Sequence, residues 1–137
     1  MPYSHLLDTN VISRLMKEPS GVSATRLSDV GDDRICTSAV VACELRFGAA
    51  LRRSQRLAHA VERVLEAIPV IPLAQPADEH YANIRHDLQT RGTPIGPNDL
   101  LIAAHARSLG LTLVTENDGE FGRVKDLTVE NWQAEAS

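Results

Sequence analysis

Aromatic residues make up only 4% of this 137-residue chain. Its core must therefore be filled by Leu, Val, Ile and Ala. Cysteine is nearly missing too. Cys36 and Cys43 both lie in apolar context and form no Cys-x-x-Cys pair. That excludes a disulfide framework and predicts two small buried residues in a reducing compartment. No apolar run approaches the roughly 20 residues of a membrane helix, and no signal-peptide pattern is present. The expected setting is the cytoplasm, with no membrane partner. A formal charge of −4 gives no basic excess of the kind that marks a nucleic-acid binder. A local basic patch, however, counts for more than the sum. P-loop, Gly-x-Gly-x-x-Gly and Gly-x-Ser-x-Gly motifs are all absent, which leaves nucleotide-loop and serine-hydrolase chemistry without support. His5, His59, His80, His86 and His105 show no zinc spacing.

What is present suits one domain spanning residues 1–137. Such a chain buries roughly 65–70% of its unfolded surface. Strands are expected at residues 3–7, 34–37, 70–73 and 112–115, with a last edge strand at 128–131. Helical spacing covers residues 9–17, 20–30, 38–51, 55–68 and 76–89, and a further helix from Pro97-Asn98-Asp99 to a cap at Gly110. Residues 91–94 read as a loop and 116–120 as a turn. Strands alternating with helices predict an α/β fold with a mostly parallel sheet. Ligands in such folds bind beyond the C-terminal strand ends. Asp8 and the 116–120 turn both follow strands and so belong to one edge.

Three acids stand where apolar packing favours none. Asp8 ends an apolar run, Glu44 interrupts the apolar segment 39–45, and Asp99 opens a helix. Each has an ordinary alternative: Asp8 as a helix cap, Glu44 as a solvated residue, Asp99 as a first-turn acid favoured by the helix dipole. Asn117, Asp118 and Glu120 also suit a plain turn. Together the acids suggest a converging divalent-metal site, because crowded carboxylates repel and a bound Mg²⁺ relieves that repulsion. Arg46, Arg52, Arg53, Arg56, Arg85 and Arg91 cluster on the middle helices, either as a solvated face or as phosphate contacts along RNA.

Four segments carry a family resemblance: Leu6-Leu7-Asp8-Thr9-Asn10; Thr37-Ser38-Ala39-Val40 through Glu44-Leu45 and Gly48; Gly92-Thr93-Pro94-Ile95-Gly96-Pro97-Asn98-Asp99 with Ile102-Ala103-Ala104; and Leu113-Val114-Thr115-Glu116-Asn117 with Glu120-Phe121. In this order the chain resembles the PIN-domain ribonucleases, specifically the VapC-type toxins of type II toxin–antitoxin pairs. The resemblance implies a three-layer α/β/α sandwich and RNA endonuclease activity dependent on Mg²⁺ or Mn²⁺. It assigns the metal to Asp8, Glu44 and Asp99. Family members often carry a fourth acid where this chain has Asn117, so Asn117, Asp118 and Glu120 compete for that role. The resemblance also implies a homodimer and a VapB-like antitoxin that lays its C-terminal segment over the acidic groove. Thr9, Asn10 and Thr115 are expected to orient waters or carboxylates.

The expected reaction is in-line attack of water on phosphorus, leaving a 5′-phosphate and a 3′-hydroxyl. The 92–99 loop resembles that of the subgroup cleaving initiator tRNA in its anticodon stem-loop. A structured loop exposes unstacked bases, whereas an A-form stem hides its edges. Two rivals stand beside this reading. A phosphatase or phosphotransferase with Asp8 as nucleophile would want a second acid where Asn10 stands and a lysine partner. A catalytically silent dimeric binding module would need no acid triad.

Overall fold

The computed structural model describes residues 2–134. Five short strands form one sheet: β1 (His5–Leu7), β2 (Ile35–Ser38), β3 (Val70–Ile71), β4 (Thr112–Val114) and β5 (Val129–Glu130). Their order is β3-β2-β1-β4-β5, and every neighbouring pair is parallel. The helices are α1 (Thr9–Lys17), α2 (Val22–Val30), α3 (Ala39–Arg52), α4 (Gln55–Ala67), α5 (Ala77–Thr90), α6 (Pro97–Leu109) and α7 (Asp118–Phe121). A single 3₁₀ turn, Asp32–Arg34, leads into β2.

Local chemistry sets most boundaries. Asp8 caps α1 by accepting from the Thr9 N–H, and Ser38 caps α3 by accepting from the Val40 N–H. Arg53, left-handed at φ 52°, ends α3, and Ser54 then caps α4 through the Leu57 N–H. Pro97 stands in the first turn of α6, and Gly110 closes that helix at φ 68°, where a side chain would be strained. β3 is shorter than expected because Pro72 follows it and cannot donate to a ladder. The expected 116–120 turn instead winds into α7, anchored by the fully buried Phe121.

Leu6, Leu7, Leu113 and Val114 on the central strands are fully buried, so these strands read as continuous apolar runs. Phe121 and Trp132 are the largest fully buried side chains and compensate for the scarcity of aromatics. Cys36 is in the core as expected, and burial pushes its thiol up to about 11. Cys43 is not: it is exposed. The core stripe of α3 is Val41, Leu45 and Ala49, and position 43 lies roughly 200° around the helix from Val41 at 100° per residue. The apolar neighbours of Cys43 in sequence are thus not its neighbours in space.

The chain leaves β1 through α1 and α2 toward β2, then through α3 and α4 to β3. It returns through α5 and α6 to β4, on the other side of β1. Right-handed crossovers put the first four helices on one face and α5–α6 on the other. The reversal occurs between β1 and β4, and a crevice opens beyond their C-terminal ends.

Candidate active site

Asp8 follows β1 directly and Thr115 follows β4, so the paired register of Leu7 and Val114 brings these two side by side. The Thr115 hydroxyl donates to Asp8 Oδ2 at 2.8 Å, and the Thr9 N–H donates to Oδ1 at 2.8 Å. Asp8 is buried, and its pKa is raised. Burial is the main cause, with Glu44 adding to it and the two hydrogen bonds opposing it.

Glu44 reaches the same crevice from α3. The Thr9 hydroxyl donates to its Oε1, and the Asn98 amide donates to Oε2 at 3.2 Å. Asp99 enters from the first turn of α6. Its carboxyl is pushed up to about 7, first by burial, then by the like charges of Asp8 and Glu120, by a hydrogen bond with Glu120, and by Glu44. One group thus registers all four acids, and the sequence-predicted triad converges.

The three candidates for a fourth position lie at the start of α7 and point differently. Glu120 faces Asp99 and accepts from the Asn117 side-chain amide. Asp118 turns away and accepts from Asn131 Nδ2 at 3.1 Å. Asn117 lines the crevice, and its backbone N–H donates to the Thr115 hydroxyl at 3.0 Å. Of the two candidate acids, Glu120, one helical turn after Asn117, is the one that faces Asp99.

Asp8, Glu44, Asp99 and Asn117 line an open cleft of about 530 Å³. Its donors are carboxylate, amide and hydroxyl oxygens, a hard set that suits Mg²⁺ or Mn²⁺ and offers nothing to a soft metal. Among the described residues, no three acids close into a compact ligand cage. Mg²⁺ commonly takes one or two carboxylates and keeps several waters, so an open acidic cleft fits it. None of the five histidines lines the cleft. His105 is buried on α6 with Nδ1 2.8 Å from the Ser38 hydroxyl, and burial lowers its pKa. It ties the helix bearing Asp99 to the start of the helix bearing Glu44.

None of the expected basic cluster lines the cleft itself, but Arg52 and Arg56 line an adjoining groove that also includes Thr9 and Glu44. Arg46 pairs with Glu62, Arg85 donates to the Tyr81 hydroxyl, and Arg91 pairs with Asp87. The cations that do line the cleft are Arg14 and Lys17, both on α1. Neither belongs to the basic cluster expected from the sequence. Their signal was the four-residue spacing of Asn10 with Arg14, and of Thr9 with Ser13 and Lys17, directly after the first acid. Asn10 accepts the Glu116 N–H at 3.2 Å and so braces the β4–α7 loop.

A PIN-domain family model matches residues 5–127. Ribonuclease VapC1 of Haemophilus influenzae strain R2866 is 36% identical over 130 residues, covering 93% of this chain and 97% of the relative. The tRNA(fMet)-specific endonuclease VapC of Shigella flexneri is 36% identical over 129 residues, covering 93% and 96%. The crystal structure of DNA-bound VapBC from Salmonella typhimurium contains a chain with a TM-score of 0.86 and 33% identity, covering 95% of this chain and 98% of that one. With its acids gathered at the β1/β4 switch point and these likenesses spanning nearly its whole length, this chain belongs to the PIN-domain family, in its VapC branch.

Proposed function

We propose that this protein is a divalent-metal-dependent RNA endonuclease and the toxin of a toxin–antitoxin pair. The observation that carries the reading is the shared crevice of Asp8, Glu44, Asp99 and Glu120, which raises the Asp99 carboxyl to about 7. Asp8, Glu44 and Asp99 would hold Mg²⁺ or Mn²⁺. Once bound, the ion supplies a Lewis acid for the phosphodiester and an activated water. Thr9, Asn98 and Thr115 fix the carboxylates through the hydrogen bonds described above. Glu120, steadied by Asn117, faces Asp99 and is placed to take or return a proton. The products are a 5′-phosphate and a 3′-hydroxyl.

The substrate proposed is a structured RNA loop, with the anticodon stem-loop of initiator tRNA as the specific target. The Shigella relative carries tRNA(fMet) in its name, and the likeness to it covers 93% of this chain. The partner is a VapB-like antitoxin, supported by the VapBC assembly of the Salmonella relative. The working form is a homodimer in the cytoplasm. Phe47 and Leu51, 67% and 70% exposed on α3, offer an apolar surface for a second copy. No helix among the described residues is long and apolar enough to cross a membrane.

The phosphatase alternative fares worse. Asn10 is engaged with the β4–α7 loop, and Asp8 is buried with both carboxylate oxygens accepting hydrogen bonds. The test is incubation of purified protein with total tRNA and Mg²⁺. A discrete fragment pair from one species, lost on chelation, is expected. Intact tRNA beside cleaved messenger or ribosomal RNA would reject the target. Intact RNA of every kind, with or without metal, would reject the nuclease reading.

A further inference from the structure

We infer that the C-terminal half of α1 is the rim that grips the RNA strand beside the scissile bond, through Lys17 and Arg14. This rests on the nuclease reading above and adds the residues that bind the backbone. An acidic cleft repels RNA, so cations must lie within reach of its edge. Among the described residues, Arg14 and Lys17 are the only cationic ones lining it. At 1.5 Å per residue they stand about 9 and 13 Å along the helix from Asp8. That distance suits phosphates flanking the reacting one rather than the reacting one itself.

Two further observations favour the rim. Lys17 is exposed and lines both the acidic cleft and a neighbouring groove between α1, α3 and α4, so it marks the junction of the two. Arg14 Nε and Nη2 each donate at 2.8 Å to the Glu116 carboxylate, and Nη1 donates at 2.9 Å to Glu18. This planar fork on a carboxylate has the geometry with which Arg takes a phosphate. Glu116 thus occupies the place a backbone phosphate would take, and strand binding exchanges one oxyanion for the other. The competing role for two cations in the last turn of a helix is to complement its dipole. That role affects stability but not RNA binding.

The experiment uses full-length protein carrying Asp8→Asn to prevent cleavage, fluorescently labelled total tRNA, and anisotropy over a KCl series. Lys17→Ala and Arg14→Ala should each weaken binding about five-fold near physiological salt. Each should lower the salt slope by about 0.7, the value of one single-strand phosphate contact. Arg14→Lys should restore the slope, and Glu116→Gln should tighten binding by removing the competing carboxylate. In the cleaving protein, the Lys17 variant should raise KM and leave kcat within about two-fold. Wild-type cleavage with unchanged slopes in both alanine variants would overturn the rim and leave the nuclease standing. Loss of slope in Arg52→Ala and Arg56→Ala instead would move the strand to the α3–α4 groove and also overturn it. Weaker binding on Glu116→Gln would refute the exchange. A wild type that neither binds nor cuts RNA would remove both readings.

Discussion

Asp99 is the residue at which crowding is most directly measurable. Its folded pKa of about 7 lies above the usual carboxylate value, so the protonated form fits the fold better than the charged one. The stability it contributes is complete below about pH 4 and is lost as the pH rises through about 7. Metal-free protein should therefore melt at a lower temperature at pH 7.5 than at pH 5. Asp99→Asn should flatten that dependence, raise or preserve the neutral-pH melting temperature and abolish cleavage. A mutant that keeps the wild-type pH dependence would show that this carboxyl is not the strained one. Thr115 belongs to the same scale. Its hydroxyl is fully buried, donates to Asp8 and accepts from the Asn117 N–H. Thr115→Val keeps the shape and strips both bonds. It should cost about 1–3 kcal/mol in urea denaturation and reduce cleavage, whereas an exposed turn threonine would lose nothing.

Among the elements, α3 and α6 each deliver one acid, and side-chain contacts tie them at both ends: Asn98 on Glu44 in the cleft and Ser38 with His105 in the interior. Ser38 caps α3 and meets His105 Nδ1 at 2.8 Å in the buried interior. Ser38→Ala removes the cap and leaves the imidazole without that partner. The expected loss is about 1–2 kcal/mol by chemical denaturation, with weaker metal binding because Glu44 and Asp99 are no longer held in step. Full stability in the mutant would mean that the Ser38–His105 contact does not fix these helices. The apolar stretch around Cys43 suggested burial on every side, but α3 has a core face of Val41, Leu45 and Ala49 and an open face bearing Phe47 and Leu51. Residues 116–120 suggested a turn because a four-residue helix leaves no periodic signal. Its stability comes from Phe121 docking in a core contributed by distant segments.

For the whole molecule, metal and self-association are the testable consequences. Binding of Mg²⁺ or Mn²⁺ to the native state alone raises stability by mass action, by about 2.7 kcal/mol at a hundred-fold excess over Kd. Melting curves should shift upward with millimolar metal, and Asp8→Asn should blunt the shift. A flat response would count against the metal centre. Light scattering at micromolar concentration should give a dimer mass, and Phe47→Glu should shift it toward monomer with the fold intact. A wild-type monomer would remove the proposed interface.

The sequence by itself determined the alternation of strands and helices, most helix ends and the identity of the three converging acids. Those features rest on local physics: caps, prolines, periodicity and the improbability of acids in apolar segments. It also held the order of motifs that resembles the PIN-domain family. Only the tertiary structure decided which of the neighbouring acids faces Asp99, which cations reach the cleft and which cysteine is buried. Glu120 and Asp118 are two residues apart and chemically alike, yet the short α7 turns one toward Asp99 and the other toward Asn131. Arg14 and Lys17 lie in the last turn of α1, and only the fold brings Glu116 alongside Arg14. The acids announce themselves locally because their burial is costly wherever it occurs. The cations are solvated almost anywhere on a surface, so their role depends on what the fold sets opposite them.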